Sequence, residues 1–230
     1  MLTRRKVVLA LLSSAGKPLS RKHLFKLAFL LRHQERPGAL GSFYDFLPHR
    51  YGAYSFAMNR DLEILVGSGY IADEDNCWSI ARGNKGVAKE LVRGLAIDVR
   101  EAIGRLVSRY AQMPLDALLR YVYSAFPEYA VRTELTELAP GSVRKPSRTE
   151  PAVYTAGYEG RTVDAFFKEL LEAGVERIID VRMNPVSRQY GLARKSMSWV
   201  AGELGVEYSH RPQLGIPSER RKNLTDFASY

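Results

Sequence analysis

The stretch Val175-Glu-Arg-Ile-Ile-Asp-Val-Arg-Met-Asn-Pro-Val-Ser-Arg188 decides the reading of the chain. Its first half, Val175 to Val181, has the apolar content of a buried strand, and the Pro185 turn follows it. Upstream, Val153-Tyr-Thr-Ala156 is another apolar run and leads straight into the glycine turn Gly157-Tyr-Glu-Gly160. Between the two, Thr162 is placed to cap a helix with Val163, Phe166, Phe167, Leu170 and Leu171 on one side, closed by Gly174. Strand, helix and strand with short joints predict a right-handed βαβ unit, hence a parallel sheet whose ligands gather beyond the carboxyl ends of its strands. Residues 157–161 and 180–188 both fall at that edge. The glycine turn is neither GxGxxG nor a P-loop, so dinucleotide or nucleoside triphosphate binding has little support.

The same edge carries the chemistry. Arginine forks take phosphate or carboxylate bidentately, and here Arg182, Arg188, Arg194 and Lys195 surround Ser187 and Tyr190 without an acid between residues 181 and 195. Gly157, Tyr158, Arg182, Ser187, Arg188 and Arg194 are the expected anion-binding residues. The competing reading is an internal salt bridge from Asp180 to an arginine, bracing the loop. Asp180 and His210 are the candidate catalytic pair, since a histidine that titrates near neutrality can move a proton if it approaches the carboxylate. The plainer alternative makes His210 a surface residue near a strand end. Glu159 and Glu219 are further carboxylates for a magnesium ion, but their spacing does not argue for one. No metal or cofactor is assigned, and whether the chain is an enzyme stays open.

Three motifs carry a resemblance. Tyr154-Thr-x-Gly157-Tyr, Ile179-Asp-Val-Arg-x-x-Pro185-x-Ser-Arg188, and Val206-Glu-Tyr208 followed by Pro212-x-Leu-Gly215 resemble the family called domain of unknown function 488. The resemblance spans residues 152–230 and implies a cytosolic prokaryotic α/β domain; the family brings no reaction with it. Its late Cys-His-Arg run has no counterpart here, so the expectation is a short variant or an incomplete domain.

Ahead of that domain, residues 1–82 read as helix, helix, helix and hairpin. Val7, Val8, Ala10, Leu11 and Leu12 line one helix that stops at Gly16-Lys-Pro18. Ser20 caps a second, running to about Gln34, with Leu24, Leu27, Ala28, Leu30 and Leu31 on its apolar side and Arg21, Lys22 and Lys26 on the other. Ser42 to Phe46 alternates as a strand would, and Ser55 caps a third helix ended by Gly69. Tyr70-Ile71, the turn Asp73-Glu-Asp-Asn76 and Cys77-Trp-Ser-Ile80 form the hairpin. This order resembles a winged-helix domain, and Phe43-x-x-Phe46, Arg50-Tyr-Gly-x-Tyr-Ser55, Asp61-Leu-Glu63 and Ser68-Gly-Tyr-Ile71 resemble the winged-helix-like domains of Panacea-type antitoxins. Tyr121-Val-Tyr123 and Phe126-Pro-Glu-Tyr129 resemble the helical tail of their relatives. Residues 83–138 carry apolar residues at helical spacing, to pack on the first part or to pair two copies. Residues 139–151, with Pro, Gly and Ser and no periodicity, read as a linker in which Arg144, Lys145 and Arg148 add positive charge.

Charge points to a partner. The chain has 230 residues, 34 Lys and Arg against 25 Asp and Glu, and a net charge of +9. Residues 1–50 hold ten basic and two acidic residues, an excess of eight, so nearly all the imbalance lies there. Concentrated cations attract phosphate backbones, which makes DNA or another nucleic acid the expected partner, through Arg4, Arg5, Lys6, Arg21, Lys22, Lys26, Tyr51, Tyr54 and Arg60; the plainer alternatives are a solvated basic surface and, for the two tyrosines, half-buried packing. Asp61 and Glu63 on the third helix oppose ordinary major-groove reading, because carboxylates repel phosphate. A single cysteine, Cys77, excludes an internal disulfide and a cysteine-built zinc site, and suits the cytoplasm. Val7 to Leu12 is too short to span a bilayer. The expected whole is an α/β domain with a parallel sheet, preceded by an α+β winged helix with a helical extension. It would dock on nucleic acid and recognise or process a phosphate-bearing ligand. The alternatives are an antitoxin-like regulator that binds a protein partner, and a small-molecule enzyme dimerised by its winged helix.

Overall fold

The structure, a computed structural model, describes residues 1–141 and 150–216. It divides into two compact units, Met1–Ser147 and Arg148–Tyr230. Arg144, Lys145 and Arg148 of the expected linker, and Glu219, lie outside the described residues.

The first unit is built round α1 (Thr3–Ala15). Val7 to Leu12 are each at most 3% exposed, so this helix is buried on every side rather than along a single stripe. Gly16, at φ 66, ends it in the left-handed conformation that glycine takes without cost. After β1 (Leu19–Ser20), the Ser20 side chain accepts a hydrogen bond from the His23 amide and opens α2 (Arg21–Leu30). A π-helical turn, Leu31–Glu35, carries α2 onward. Gln34 in that turn bonds the hydroxyls of Tyr110 and Tyr121.

Ser42 to Phe46 is not the expected strand. Phe43, Tyr44 and Phe46 are all buried, a succession that no alternating strand allows, and the segment has no ladder partner. Pairing begins one residue later, where β2 (Leu47–His49) meets β3 (Gly52–Tyr54) in an antiparallel hairpin. Ser55 then caps α3 (Phe56–Gly67) by accepting from the Met58 amide. β4 (Ile71–Glu74) and β5 (Cys77–Ile80) follow. Their turn is narrower than the sequence suggests: Asp75 and Asn76 alone make it, both at positive φ, and Asp73 and Glu74 belong to the ladder. The sheet order is β1-β5-β4, all antiparallel, so the short strand before α2 joins the hairpin.

Three helices complete this unit, α4 (Lys85–Arg93), α5 (Ile97–Tyr110) and α6 (Leu115–Ala125). These helices pack on the preceding elements. Val99, Ile103, Leu106, Leu118 and Val122 share one core with Val8, Leu11, Leu27 and Phe29. Phe126 and Tyr129 set their rings edge-on to Phe29, at 5.0 and 4.7 Å.

In the second unit, Thr162 caps α7 (Val163–Glu172) by accepting from the Ala165 amide. β6 (Arg177–Asp180), α8 (Arg194–Glu203) and β7 (Glu207–His210) follow. β6 and β7 pair in parallel, Arg177 opposite Glu207 and Asp180 opposite His210. The parallel sheet is therefore present, but its crossover is β6–α8–β7 rather than the unit expected from residue 153 onward. Val153 to Ala156 form no strand; Val153 is 99% exposed. Nor is residues 175–181 a fully buried strand: regular pairing covers four residues, and Ile179 and Val181 are exposed. Alternation explains the second point, since Ile178 and Asp180 face inward while Ile179 and Val181 face the other way.

Candidate functional site

The carboxyl ends of β6 and β7 hold a polar cluster. Asp180, the last residue of β6, is buried, and Arg182 folds back on it through two forked contacts: Nε to Oδ1 at 2.8 Å and Nη2 to Oδ2 at 2.6 Å. The Arg182 amide adds a third bond to Oδ1, at 3.1 Å, and the Tyr208 hydroxyl donates to Oδ2 at 2.6 Å. Arg182 Nη1 meanwhile donates to the Leu192 carbonyl at 2.8 Å, and its guanidinium lies 4.8 Å from the centre of the Tyr158 ring. Burial alone would push the Asp180 carboxyl up. The donors from Arg182 and Tyr208 outweigh it and hold the group down at about 2. Tyr208, half-buried and bonded to that carboxylate, is pushed up to about 12.

His210 faces the same cluster, two residues beyond Tyr208 on β7. Its Nε2 lies 2.8 Å from the Arg182 carbonyl oxygen. A carbonyl only accepts, so Nε2 carries the proton and Nδ1 keeps the lone pair in the neutral ring. Gly215 closes the edge. A Cβ there would run into the Val181 carbonyl oxygen, so only glycine lets the turn Pro212–Leu214 settle against the end of β6.

The structure therefore brings together Tyr158, Asp180, Arg182 and His210 of the expected residues. It adds Tyr208, which the alternation of β7 places beside His210 but to which sequence reasoning assigns no role. It does not bring in the rest. Gly157, Arg188 and Arg194 are exposed; Arg194 begins α8, and its amide donates to the Pro185 carbonyl at 2.9 Å. Ser187 Oγ accepts from the Gln189 amide. Glu159 is exposed, and no cluster of three His, Cys, Asp or Glu able to hold a metal occurs among the described residues.

The cations of the first unit sort into three groups. Arg4 and Arg5 are engaged by Asp61, at 2.6 and 2.8 Å, together with the Tyr44 hydroxyl at 2.9 Å. Asp61 is 2% exposed and held below the usual carboxylate range by those donors, despite its burial. The expected repulsion of phosphate by Asp61 therefore falls away, because this carboxylate lies inside and is matched. Lys26 does not lie on an outer face: it is 2% exposed, and its Nζ donates to the Ala53 carbonyl at 2.8 Å. Helical spacing places Lys26 one turn beyond Lys22, where α2 passes under β3. Tyr54 is packing, stacked between Phe25 and His49 at 4.8 and 4.7 Å.

The second group is paired at the surface: Arg21 with Asp73 at 2.5 Å and over the Trp78 ring, Arg60 with Glu63 at 3.1 Å. The third includes Lys6, which is half-buried, and Lys22, whose Nζ stands 3.9 Å from the centre of the Tyr51 ring. Arg50 and Arg132, which sequence reasoning does not select, lie near enough to His49 to act on its ring; the approach of a residue about eighty positions away has no signal in local spacing.

Among the described residues no helix is long and apolar enough to cross a membrane. No curated protein matches the chain. Residues 162–229, from the cap of α7 past the edge formed by Asp180, Arg182, Tyr208 and His210, match the family model described as Domain of unknown function DUF488.

Proposed function

We propose that the first unit is a winged-helix module that binds nucleic acid, and that the second is an α/β domain that recognises a phosphate-bearing ligand at the carboxyl edge of β6 and β7. The observation that carries the first half is the order α1-β1-α2-β2-β3-α3-β4-β5 with β1 paired to β5, a helical core with a three-stranded wing and an extra hairpin before α3, in a unit that holds most of the chain's positive excess. Internal pairing commits some of its cations, yet Lys6, Lys17, Lys22, Arg36 and Arg50 stay at or near the surface. A nucleic acid would be met through phosphate contacts, since α3 offers Asn59 and Arg60 already bonded to Glu63. A lone, half-buried Cys77 suits a reducing cytoplasm.

For the second unit, the cluster favours recognition over proton transfer. A carboxyl held at about 2 is a poor general acid or base near neutrality, so Asp180 positions Arg182 and the loop beyond it. Arg188, Arg194, Lys195 and Arg211 are exposed at that edge and make no ion pair with a described residue, which leaves them to meet an anion. The bond from His210 Nε2 to the Arg182 carbonyl fixes the ring at the edge of the cluster.

Fluorescence anisotropy of the full chain with labelled DNA and RNA across a salt series tests the first half. Binding that weakens with a slope of roughly one decade per decade of salt for each phosphate contacted supports it, and absence of binding at low salt overturns it. Titration with inorganic phosphate and short phosphodiesters, read at Trp199, tests the second. Arg188→Ala is the clean variant there, because Arg182 carries the loop.

A further inference from the structure

The tip of the β2–β3 hairpin is more than a connection. Its backbone is fixed from two sides. The Arg50 carbonyl accepts from the Glu134 amide at 2.7 Å and from Thr133 Oγ1 at 3.2 Å, and Thr133 Oγ1 is itself bonded to the Tyr123 hydroxyl at 3.0 Å. On the other side, Gly52 sits at φ 79 with the Tyr123 ring packed where a Cβ would be, so no other residue fits the turn. Arg50 and Tyr51 therefore project from a rigid mount, and Tyr51 keeps 39% exposure.

Cations gather round this mount. Lys22 lies over the Tyr51 ring, Arg50 is exposed beside it, and Arg132 comes from the segment after α6. Lys26 is buried beneath, on the Ala53 carbonyl. The field they create is legible at His49, whose Nε2 is buried without a hydrogen-bond partner: burial, then Arg50, Lys26 and Arg132, hold the ring down at about 4. Arg50 pairs at the surface with exposed Glu134 at 3.9 Å, a contact that costs little to exchange for a phosphate.

A part-exposed aromatic ring on a fixed backbone, with Lys22 over it and further cations around it, offers what an unpaired nucleotide needs, a ring on which its base stacks and positive charge for its phosphates. A duplex, whose bases are already stacked, has no use for the ring. We propose that the β2–β3 tip, with Tyr51 as the stacking platform and Lys22, Arg50 and Arg132 as phosphate contacts, is a binding site for single-stranded nucleic acid. This rests on the nucleic-acid reading of the first unit, and assigns the contact to the hairpin rather than to α3.

The test uses the full chain and three labelled probes of equal length: oligothymidylate, oligouridylate and a DNA duplex. At least one single strand should bind more tightly than the duplex. Arg50→Ala and Tyr51→Ala should each weaken that binding by about five- to a hundredfold, Tyr51→Phe should keep it, and Arg60→Ala on α3 should leave it unchanged. If single strands bind but Arg50→Ala and Tyr51→Ala leave affinity intact, or if the duplex is preferred and Arg60→Ala abolishes it, the hairpin site is overturned while the nucleic-acid reading survives. If none of the three probes binds at low salt, both fall. Should Tyr51→Ala lower the melting temperature, Arg50→Gln and Arg132→Gln carry the same readout, and unchanged affinity in both overturns the site.

Discussion

Replacing Lys26 by Met should stabilise the first unit at neutral pH and below, and the gain should vanish in alkali. Lys26 is buried between α2 and β3 with its Nζ on the Ala53 carbonyl; burial, with Lys22 as a nearby cation, brings the ammonium down from 10.5 to about 7. Below pH 7 the amine is charged in both states, and the full cost of burying that charge is present. Above it the folded chain releases a proton that the unfolded chain keeps until about 10.5, so stability rises with pH through this window. A tenfold loss of proton affinity corresponds to about 1.4 kcal/mol, so the fall from 10.5 to about 7 makes the cost below pH 7 about 5 kcal/mol. Met fills the same space without charge but leaves the Ala53 carbonyl without its donor, a loss of about 1–3 kcal/mol. Lys26→Met should therefore be more stable than the parent by about 2–4 kcal/mol at pH 6, and about equal to it near pH 9. Trp78 lies in this unit and Trp199 in the other, so urea unfolding followed by tryptophan emission in a Trp199→Phe background isolates the effect. His49, held at about 4, titrates below the window. A stability difference that stays constant from pH 6 to pH 9 would refute the reasoning.

Two further outcomes concern the second unit. Arg182→Ala leaves the Asp180 carboxylate buried on Tyr208 and one amide, and should destabilise this unit by about 3–5 kcal/mol. Asp180 should also titrate above about 2, so that stability present above pH 3.8 in the parent, and lost there as pH falls through about 2, is lost earlier in the variant. Melts followed at Trp199 at pH 7 and pH 3 check both, and an unchanged melting temperature would show that Arg182 does not brace the loop. Gly215→Ala should push the Pro212–Leu214 turn off the end of β6 and loosen the bond from the Arg211 amide to the Asp180 carbonyl. Faster hydrogen exchange at the Arg211 amide is the expected sign; unaltered exchange would mean that the turn yields without cost.

What the sequence makes legible is local. Ser20, Ser55 and Thr162 announce helix starts because an oxygen at that position meets an amide three residues on, and Gly16 and Gly174 announce ends because they take positive φ. Asp180 and Arg182 are legible as a pair because alternate residues at a strand end meet on one face. What stays hidden depends on distant partners. The hairpin β2–β3 consists of two three-residue strands, one containing Pro48, and its neighbour 42–46 imitates a strand with aromatic residues that in fact sink together into the core. Val153 to Ala156 has strand composition without a pairing edge. Nothing near Arg4 or Arg5 in sequence reveals Asp61, 57 and 56 residues away.

The two units solve one problem the same way, and the solution bears on how positive charge is counted. In each, a buried aspartate is met by arginine and by a tyrosine hydroxyl: Arg4, Arg5 and Tyr44 on Asp61, Arg182 and Tyr208 on Asp180. A buried carboxylate left without such donors would unfold its surroundings, whereas the matched set fixes one arrangement of segments that local spacing cannot fix. These arginines are the ones that composition offers first as ligands for phosphate. Their guanidinium groups are already committed, so replacing them would lower binding by loosening the fold and would imitate the loss of a contact. Binding is better sought at cations nearer the surface, Lys22 with Arg50 at the hairpin tip and Arg188 with Arg194 beyond β6. There a substitution disturbs no matched buried aspartate of the two clusters, and a change in affinity reads the contact more directly than it would at Arg4, Arg5 or Arg182.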